Sequence, residues 1–405
     1  MNKLNIAIFS PFISAGEEIE SGIGVHYRDL ALGLKESGDL VTIFHFPYDR
    51  TISKSWFFEG IAVHSIGIQF PSFTKIRGIG RLCNLIKFFD IFEAYQLFAK
   101  SKKIFSKYHS SKNFNILEAS SNRGVAFGVS SLKNRPPIFT RVSTTMEQIF
   151  KSEENLPDLN FRIAANFEKR QILRSDHLVT HTQNHASEVS KLLKIDTNRF
   201  KIIPHGIYFD SVLGKEDHLK INNSIVNVLF VGRLDYRKGF DILLDAIPII
   251  IRKFSNIHFD ICGTGEMLEL ANSKISDDSS KYITLHGYQS RDSLNKFYKN
   301  CDIFVAPSRY ESFGLVYLEA MKFSKPIVAC NSGGTPEVVH DEITGLLVDP
   351  GNRNSLTEAI VKLAQNPELR QSMGKSGRKS LENSFSMKTL IDKTREHYLQ
   401  SLCKI

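Results

Sequence analysis

Two glutamates, Glu311 and Glu319, stand eight positions apart in the stretch APSRYESFGLVYLEAMKF at residues 306–323. The apolar spacing predicts a helix over residues 314–322 with Ser312 as its N-cap. Glu311 then precedes the helix, and Glu319 lies about five residues inside it, roughly 7 Å along the axis. Carboxylates this far apart cannot share one small atom, but they can hold opposite ends of an elongated polar ligand. The alternative is two ordinary glutamates, one suited to the helix dipole and one solvated.

The start of the predicted helix brings four backbone N–H groups together, those of Phe313, Gly314, Leu315 and Val316. N–H groups in a first turn have no acceptor within their own helix. A helix N-terminus also favours negative charge. We therefore expect these N–H groups to lie beneath the middle of the ligand, where they favour a negatively charged group of the ligand.

Two cations follow a predicted buried strand in the stretch FVGRLDYRKGFDILLDAI. Arg233 lies at the carboxyl edge of that strand, and Lys238 stands beside Gly239 at the start of the next predicted helix. A cation at a helix N-terminus costs about 0.3–1 kcal/mol unless an anion offsets it. The planar fork of arginine and the point charge of lysine together suit a phosphate or diphosphate. We predict an anion clamp, the alternative being two solvated cations at a strand end.

Three pairs of glycines mark turns between predicted strands and helices. They are Gly22 and Gly24, Gly263 and Gly265, and Gly333 and Gly334. Paired glycines let the backbone approach a ligand closely. The second pair does not complete a G-x-G-x-x-G fingerprint, because Leu268 occupies the last position, and the first pair also lacks the full pattern. A nicotinamide-dependent oxidoreductase is therefore disfavoured.

No metal site is predicted. His177, His181 and His185 are four positions apart, but residues 178–182 are predicted to form a strand, where that spacing separates side chains by about 13 Å. The sequence contains no Asp-x-Asp pair, so the usual carboxylate ligands of Mg²⁺ or Mn²⁺ at a diphosphate are missing. Charge neutralisation then falls to Arg233 and Lys238.

Length and composition indicate two domains in a reducing compartment. The 405 residues exceed the usual size of one core, and an apolar content of 42% can fill two. The five cysteines show neither an even count nor a metal-ligand spacing, which is typical of buried thiols. The apolar run at residues 6–10 is interpreted as a first buried strand rather than a signal peptide, and no run of about 18 apolar residues predicts a membrane span. We therefore expect a cytoplasmic protein.

Short β-branched runs alternate with helical segments in two series. The predicted strands are residues 6–10, 40–46, 61–66, 114–118, 138–142 and 178–182, then 226–231, 257–262, 283–286, 303–306, 327–329 and 346–348. This alternation predicts an α/β fold with two doubly wound parallel sheets, facing across a cleft that takes ligands beyond the strand ends. The predicted domains are residues 1–205 and 206–385, with a linker at 210–223. A last helix at about 386–405 is expected to pack back on the first domain.

Positive charge is concentrated in the first half of the chain. Residues 1–205 hold 27 basic and 19 acidic residues, and residues 75–112 alone hold nine basic and two acidic ones. A long helix is predicted over residues 81–108, with a wide apolar face that favours the core. Its charges indicate either a solvated helix face or a contact with an anionic membrane.

Several motifs together resemble one known family. The segments FVGRL, RKG, GTGE, HGY, PSRYESFGLVYLEAM and GGTPE, at about residues 228–349, look like the C-terminal half of retaining nucleotide-sugar glycosyltransferases of family 4, which have the GT-B fold. The first domain is similar more weakly, through residues 21–25, the segment KESGDLVTI and the segment IPHGIYFD at residues 203–210.

The resemblance implies a role for each predicted site residue. Arg233 and Lys238 would neutralise the diphosphate of a nucleotide-sugar donor. The N–H groups of residues 313–316 and the Gly22–Gly24 loop would hold phosphate and sugar. Glu311 would contact hydroxyls of the transferred sugar, and Glu319 those of the ribose. The surroundings of Gly263 and Tyr288 would contact the base. No cofactor beyond the donor and no metal is implied.

The acceptor side departs from the family pattern. Many relatives carry a His after the strand that corresponds to residues 138–142, where this chain has Ser143. The expected activity is transfer of a sugar from a UDP-, GDP- or ADP-sugar to a saccharide or lipid-linked acceptor in glycan or cell-envelope polysaccharide synthesis. The alternatives are a nucleotide-sugar epimerase of the same fold and a non-catalytic protein that binds a nucleotide-sugar or glycan. No nucleic-acid partner is expected.

Overall fold

A computed structural model describes residues 3–14, 21–47, 53–67, 88–151, 159–209, 225–275 and 277–403. The chain divides into two compact units, the first formed by Met1–His205 with Met387–Ile405 and the second by Gly206–Ser386. The predicted linker at residues 210–223 lies outside the described residues, as does the start of the long predicted helix at residues 81–87.

The first unit is built on an eight-stranded sheet. Its strands are β1 (Asn5–Ser10), β2 (Leu40–His45), β3 (Lys54–Phe58), β4 (Ile61–Ser65), β5 (Ile116–Ser120), β6 (Ile138–Arg141), β7 (His177–Thr180) and β8 (Phe200–Ile202). Their order in the sheet is β3-β4-β2-β1-β5-β6-β7-β8. All neighbours are parallel except β3 and β4, which pair antiparallel at the edge.

Helices cover both faces of this sheet. They are α1 (Gly22–Glu36), α2 (Phe88–Lys112), α3 (Met146–Lys151), α4 (Leu159–Arg174), α5 (Gln183–Leu193) and, from the end of the chain, α14 (Met387–Leu402). Side chains of a strand alternate between faces. Ile6 and Ile8 of β1 accordingly pack in the core cluster that contains residues of α1 and α14, whereas Ala7 and Phe9 pack in the cluster that contains residues of α2.

The second unit is built on a six-stranded sheet whose neighbours are all parallel. Its strands are β9 (Val226–Val231), β10 (Ile257–Cys262), β11 (Ile283–Gly287), β12 (Ile303–Ala306), β13 (Ile327–Cys330) and β14 (Gly345–Val348), in the order β11-β10-β9-β12-β13-β14. Every residue of β12 and β13 is buried, as expected for parallel strands covered on both faces.

The helices of the second unit pack in two layers. They are α6 (Phe240–Lys253), α7 (Leu268–Lys274), α8 (Asp277–Ser280), α9 (Arg291–Asn300), α10 (Leu315–Lys322), α11 (Thr335–Val338), α12 (Arg353–Gln365) and α13 (Pro367–Ser384). Leu243 of α6 shares a core cluster with Val228 and Phe230 of β9. Leu318 of α10 packs on the opposite face with Leu229. No helix within the described ranges is long and apolar enough to cross a membrane.

The predicted α/β fold with two parallel sheets is confirmed. Three predicted strands match the structure residue for residue: β9, β10 and β12. The strand predicted at residues 114–118 lies two residues later, as β5, because Phe114 packs in the core from the loop before the strand. Two short strands, β3 and β8, were not predicted, and each lies at an edge of the first sheet.

Candidate functional site

The site is assembled at the carboxyl edge of the second sheet. Strand β9 lies between β10 and β12, so the loops that follow these three parallel strands leave the same edge of the sheet. Ligands of open α/β sheets bind beyond this edge. The loops at residues 232–239, 263–267 and 307–314 carry six of the twelve predicted site residues.

A buried ion pair forms the centre of the site. Lys238 Nζ donates to Glu311 Oε1, and the two side chains are only 18% and 9% exposed. Ser308 Oγ donates to the same oxygen at 3.3 Å. Arg237 Nη1 lies 4.0 Å from the other carboxylate oxygen. Two cations thus surround one carboxylate, which leaves an excess of positive charge in this part of the site.

The Glu311 carboxyl group stays ionised at neutral pH. Burial acts to raise its pKa, but the charges of Lys238 and Arg237 outweigh this effect, so the pKa is lowered. Arg237 contributes a further donor, because its Nε is buried and has no hydrogen-bond partner in the described part of the chain. Arg237 was missed in the sequence, although its place next to Lys238 is a signal that points to it.

Asp235 links the two predicted clamp residues. Its Oδ2 lies 2.9 Å from Arg233 Nη2, and its Oδ1 accepts the backbone N–H of Lys238 at 2.8 Å. The Arg233 side chain is 62% exposed. An ion pair this exposed is worth little, so the Arg233 guanidinium can exchange Asp235 for an anion at low cost.

Arg309 fixes the loop that carries these cations. Its guanidinium donates two hydrogen bonds of 2.7 Å to the Asp241 carboxylate and one of 2.6 Å to the Tyr236 carbonyl oxygen. It also stacks 3.5 Å from the centre of the Tyr236 ring. The Arg309 backbone N–H donates to the Arg237 carbonyl oxygen at 2.8 Å. The predicted pattern contained no signal for Arg309, because its partners lie some seventy positions away in the sequence.

The predicted N-cap of the helix after β12 is wrong. Helix α10 begins at Leu315, and its N-cap is Gly314 in the left-handed region at φ 87° rather than Ser312. An L residue is strained there, and a Cβ on Gly314 would lie 2.3 Å from the Tyr317 ring. Leu315 and Val316 present the first N–H groups of α10, which have no acceptor within the helix. The Phe313 side chain is buried in the core.

Glycine allows the loops after β9 and β10 to touch. Gly263 has φ 153°, and a Cβ there would lie 1.8 Å from the Gly232 carbonyl oxygen. The Gly263 N–H donates to the Gly287 carbonyl oxygen at 2.8 Å. Tyr288, the next residue, is 52% exposed. These residues form the β10 and β11 side of the site.

Glu319 is the fifth residue of α10 and is half-buried. Its Oε2 accepts a hydrogen bond of 2.9 Å from the hydroxyl of Tyr298 on α9. Both predicted carboxylates therefore lie in the second unit, but each has a different protein partner: Lys238 for Glu311 and Tyr298 for Glu319.

The remaining predicted residues lie in the first unit. Gly22 is the first residue of α1, and the Gly24 N–H donates to the Oγ of the N-cap Ser21 at 3.0 Å. Ser143 follows β6, and its buried Oγ has no hydrogen-bond partner among the described residues. Across the described ranges, no group of three or more His, Cys, Asp or Glu side chains is placed to hold a metal ion.

Residues 215–380 match the family model "Glycosyl transferases group 1". The chain is 31% identical over 193 residues to the capsular polysaccharide biosynthesis glycosyltransferase CapM of Staphylococcus aureus, an alignment that covers 46% of this chain and 49% of that protein. The alignments with the first three curated relatives cover 47% to 60% of their length, so the chain spans about half the length of the curated relatives it matches.

Solved structures are similar over nearly the whole chain. The sucrose-phosphate synthase of Thermosynechococcus elongatus is 21% identical with a TM-score of 0.78, and all of both chains is covered. HepE of Anabaena, solved in complex with UDP and glucose, is 17% identical with a TM-score of 0.70, and the match covers 98% of this chain and 100% of that one. At these identities the likeness bears on the fold alone. The chain has the GT-B fold, and residues 215–380 are similar to glycosyl transferases group 1.

Proposed function

We propose that this chain transfers a sugar from a nucleotide-sugar to a saccharide or lipid-linked acceptor, with retention of configuration and without a metal ion. The observation that carries the proposal is the excess of positive charge around Glu311, next to the start of α10. Departure of a nucleoside diphosphate develops negative charge. Fixed cations and helix N–H groups that stabilise this charge lower the barrier by several kcal/mol.

Each site residue receives a role in this proposal. Arg233 exchanges Asp235 for the donor diphosphate, and Lys238 contributes a second charge. Leu315 and Val316 donate backbone N–H groups to phosphate oxygens. Glu311 accepts from hydroxyls of the transferred sugar, and Glu319 from those of the ribose. Gly263 and Tyr288 border the base.

Similar proteins support the choice of substrate class. HepE is described in complex with UDP and glucose, which are the leaving group and the sugar of a UDP-sugar donor. CapM is named for capsular polysaccharide biosynthesis. We infer a role in glycan or cell-envelope polysaccharide synthesis at the cytoplasmic face of the membrane.

A panel of UDP-, GDP- and ADP-sugars in the presence of EDTA tests the proposal. We expect one donor to raise the melting temperature and to undergo slow hydrolysis. Release of the nucleoside diphosphate should accelerate when the acceptor is supplied, because the sugar is then transferred to an acceptor hydroxyl instead of water. Glu311→Gln is expected to abolish sugar release while nucleoside diphosphate binding persists. The absence of any shift with all donors and with UDP, GDP and ADP would contradict the proposal. Conversion of the donor to an epimer without acceptor would instead identify an epimerase, and binding without turnover a non-catalytic protein.

Helix α2 supplies the proposed membrane contact. Leu97 and Phe105 pack the apolar face of α2 into the core. A contact with lipid would therefore use the basic face of the helix. Lys103 and Lys107 are exposed there, whereas Lys100 donates to the Gly67 carbonyl oxygen at 2.6 Å. We propose that the exposed lysines bind anionic lipid headgroups. Replacement of Lys103 and Lys107 by Glu is expected to abolish cosedimentation with anionic vesicles, and unchanged cosedimentation would remove this contact.

A further inference from the structure

A buried tyrosine holds the Glu319 carboxylate. The Tyr298 hydroxyl donates to Glu319 Oε2 at 2.9 Å, and the Tyr298 side chain is only 1% exposed. Its ring packs against Phe304 with centroids 5.4 Å apart and lies parallel to Phe323 at 6.3 Å. A side chain packed this closely cannot change rotamer without opening the core. The position of the hydroxyl is therefore fixed.

The phenol of Tyr298 is a permanent donor. Burial raises its pKa well above the ordinary value, and the neighbouring charge of Glu319 acts in the same direction. A phenol that stays protonated can donate only along its O–H bond, so it selects one orientation of the Glu319 carboxylate. Hydrogen bonds to charged acceptors are stronger than those between neutral groups.

Glu319 is also fixed relative to the start of its own helix. It stands one turn after Leu315, the first residue of α10. A carboxylate held by a rigid donor reaches a ligand without losing rotamer freedom at the moment of binding. A carboxylate that is free to rotate would lose that freedom on binding and would discriminate less well between hydroxyl positions of the ligand.

We propose that Tyr298 is a positioning residue. It orients the Glu319 carboxylate to accept hydrogen bonds from ribose hydroxyls, and so makes the site discriminate ribonucleotides from deoxyribonucleotides. This role rests on the proposed function, because it requires a nucleotide donor. It adds to that function a second residue that decides which nucleotide is bound.

Calorimetric titration of the full chain tests this role. The probes are UDP, GDP and ADP, followed by the 2′-deoxy and 3′-deoxy analogues of whichever one binds. We expect the wild type to bind the ribonucleotide about tenfold more tightly than at least one analogue. Tyr298→Phe is expected to weaken the ribonucleotide to the level of that analogue and to leave the analogue unchanged. A merely structural loosening would weaken both by the same factor.

Tyr398→Phe is the matched control. Tyr398 lies in the first unit, is fully buried and donates to the Glu118 carboxylate at 2.7 Å, so its replacement removes the same kind of hydrogen bond elsewhere. We expect this variant to keep the wild-type ratio of affinities. In a Glu319→Ala background, Tyr298→Phe is expected to change the ratio no further.

Four outcomes would overturn the role. The first is a Tyr298→Phe variant that keeps the wild-type ratio of affinities for the ribonucleotide and its deoxy analogue. The second is a wild type that binds a nucleoside diphosphate and its deoxy analogues equally tightly. Both results leave the proposed function intact. A wild type that binds none of the three nucleotides overturns both. If Tyr298→Phe does not fold, Glu319→Asp takes its place, because it withdraws the carboxylate by one methylene. We expect this variant to bind the ribonucleotide no more tightly than the deoxy analogue, and an unchanged ratio of affinities overturns the role.

Discussion

Glu168 is a buried carboxyl group on α4 of the first unit. Its Oε2 accepts the backbone N–H of Met146 at 2.7 Å, and its Oε1 lies 2.9 Å from Ser121 Oγ. Burial raises its pKa to about 8, against these two hydrogen bonds, which lower it. The folded chain therefore binds a proton that the unfolded chain releases near pH 4.5. Stability should fall as the pH rises from about 4.5 to about 8, by up to about 1.4 kcal/mol per pH unit.

Glu168→Gln should remove this pH dependence. In the wild type, Ser121 Oγ and the Met146 N–H both donate to Glu168. The glutamine amide oxygen can still accept from Met146, and the amide NH2 group can donate to the Ser121 hydroxyl oxygen. Between pH 6 and pH 7.5, the free energy of unfolding of the variant should rise by about 2 kcal/mol relative to that of the wild type. Urea unfolding at each pH measures this difference. Glu358→Gln changes an exposed glutamate and serves as the control. Parallel pH profiles for Glu168→Gln and the wild type would refute the assignment.

The sequence indicated the types of the site residues but not their pairing. Glu311, Lys238 and Arg233 were singled out because a carboxylate or cation at a strand end or helix start is visible in one stretch of chain. The bond between Lys238 and Glu311 joins residues 73 positions apart. No local spacing predicts such a contact, because it depends on the order of β9 and β12 in the sheet.

At the scale of elements, the loop between β9 and α6 is held by Arg309. Lysine keeps the charge of Arg309 but cannot form the double hydrogen bond to Asp241 or stack as a planar group on Tyr236. We expect Arg309→Lys to weaken nucleoside diphosphate binding about tenfold, with a smaller effect on the melting temperature, because the loop that carries Lys238 becomes mobile. Calorimetric titration measures this effect.

A second ion pair in the same unit provides the control. Lys362 Nζ lies 2.9 Å from Glu342, and both side chains are well exposed. Exposed pairs contribute little, so Lys362→Met is expected to leave nucleotide binding unchanged. Equal loss of binding in Lys362→Met and Arg309→Lys, or no loss in the latter, would show that Arg309 does not position the loop.

The start of α10 shows where local signals fail. Ser is a better N-cap than Gly by intrinsic preference, which led to the prediction of Ser312. The structure uses Gly314 because the backbone there is left-handed and the Tyr317 ring leaves no room for a Cβ. The ring is held by the core, and its position cannot be inferred from the segment itself.

At the scale of the whole chain, its last helix completes the core of the first unit. Arg395 of α14 donates to both carboxylate oxygens of Asp39, at 2.7 and 3.0 Å, and both side chains are buried. Asp39 also accepts the Leu4 N–H at 3.1 Å. Arg395→Met would leave the Asp39 charge buried without its partner, and we expect a loss of about 3–5 kcal/mol in thermal or urea unfolding. Lys388→Met, in an exposed pair on the same helix, should cost less than about 1 kcal/mol.

The parallel strands of both sheets were predictable because they are buried on both faces and read as continuous apolar runs. Strand β3 was not, since the segment KSWFF pairs only at an edge and leaves Phe57 exposed. Strand β8 has three residues, too few for a periodic pattern. Edge positions depend on the finished sheet, which a local pattern does not contain.

The most direct measurement of the central claim is the affinity of the Arg233→Ala variant for the nucleoside diphosphate that the wild type binds. Arg233 is mostly exposed, so its removal should leave the melting temperature unchanged. We predict a loss of affinity of about tenfold or more for the nucleoside diphosphate and none for the nucleoside without phosphates. Equal affinities of variant and wild type for the diphosphate would contradict the account.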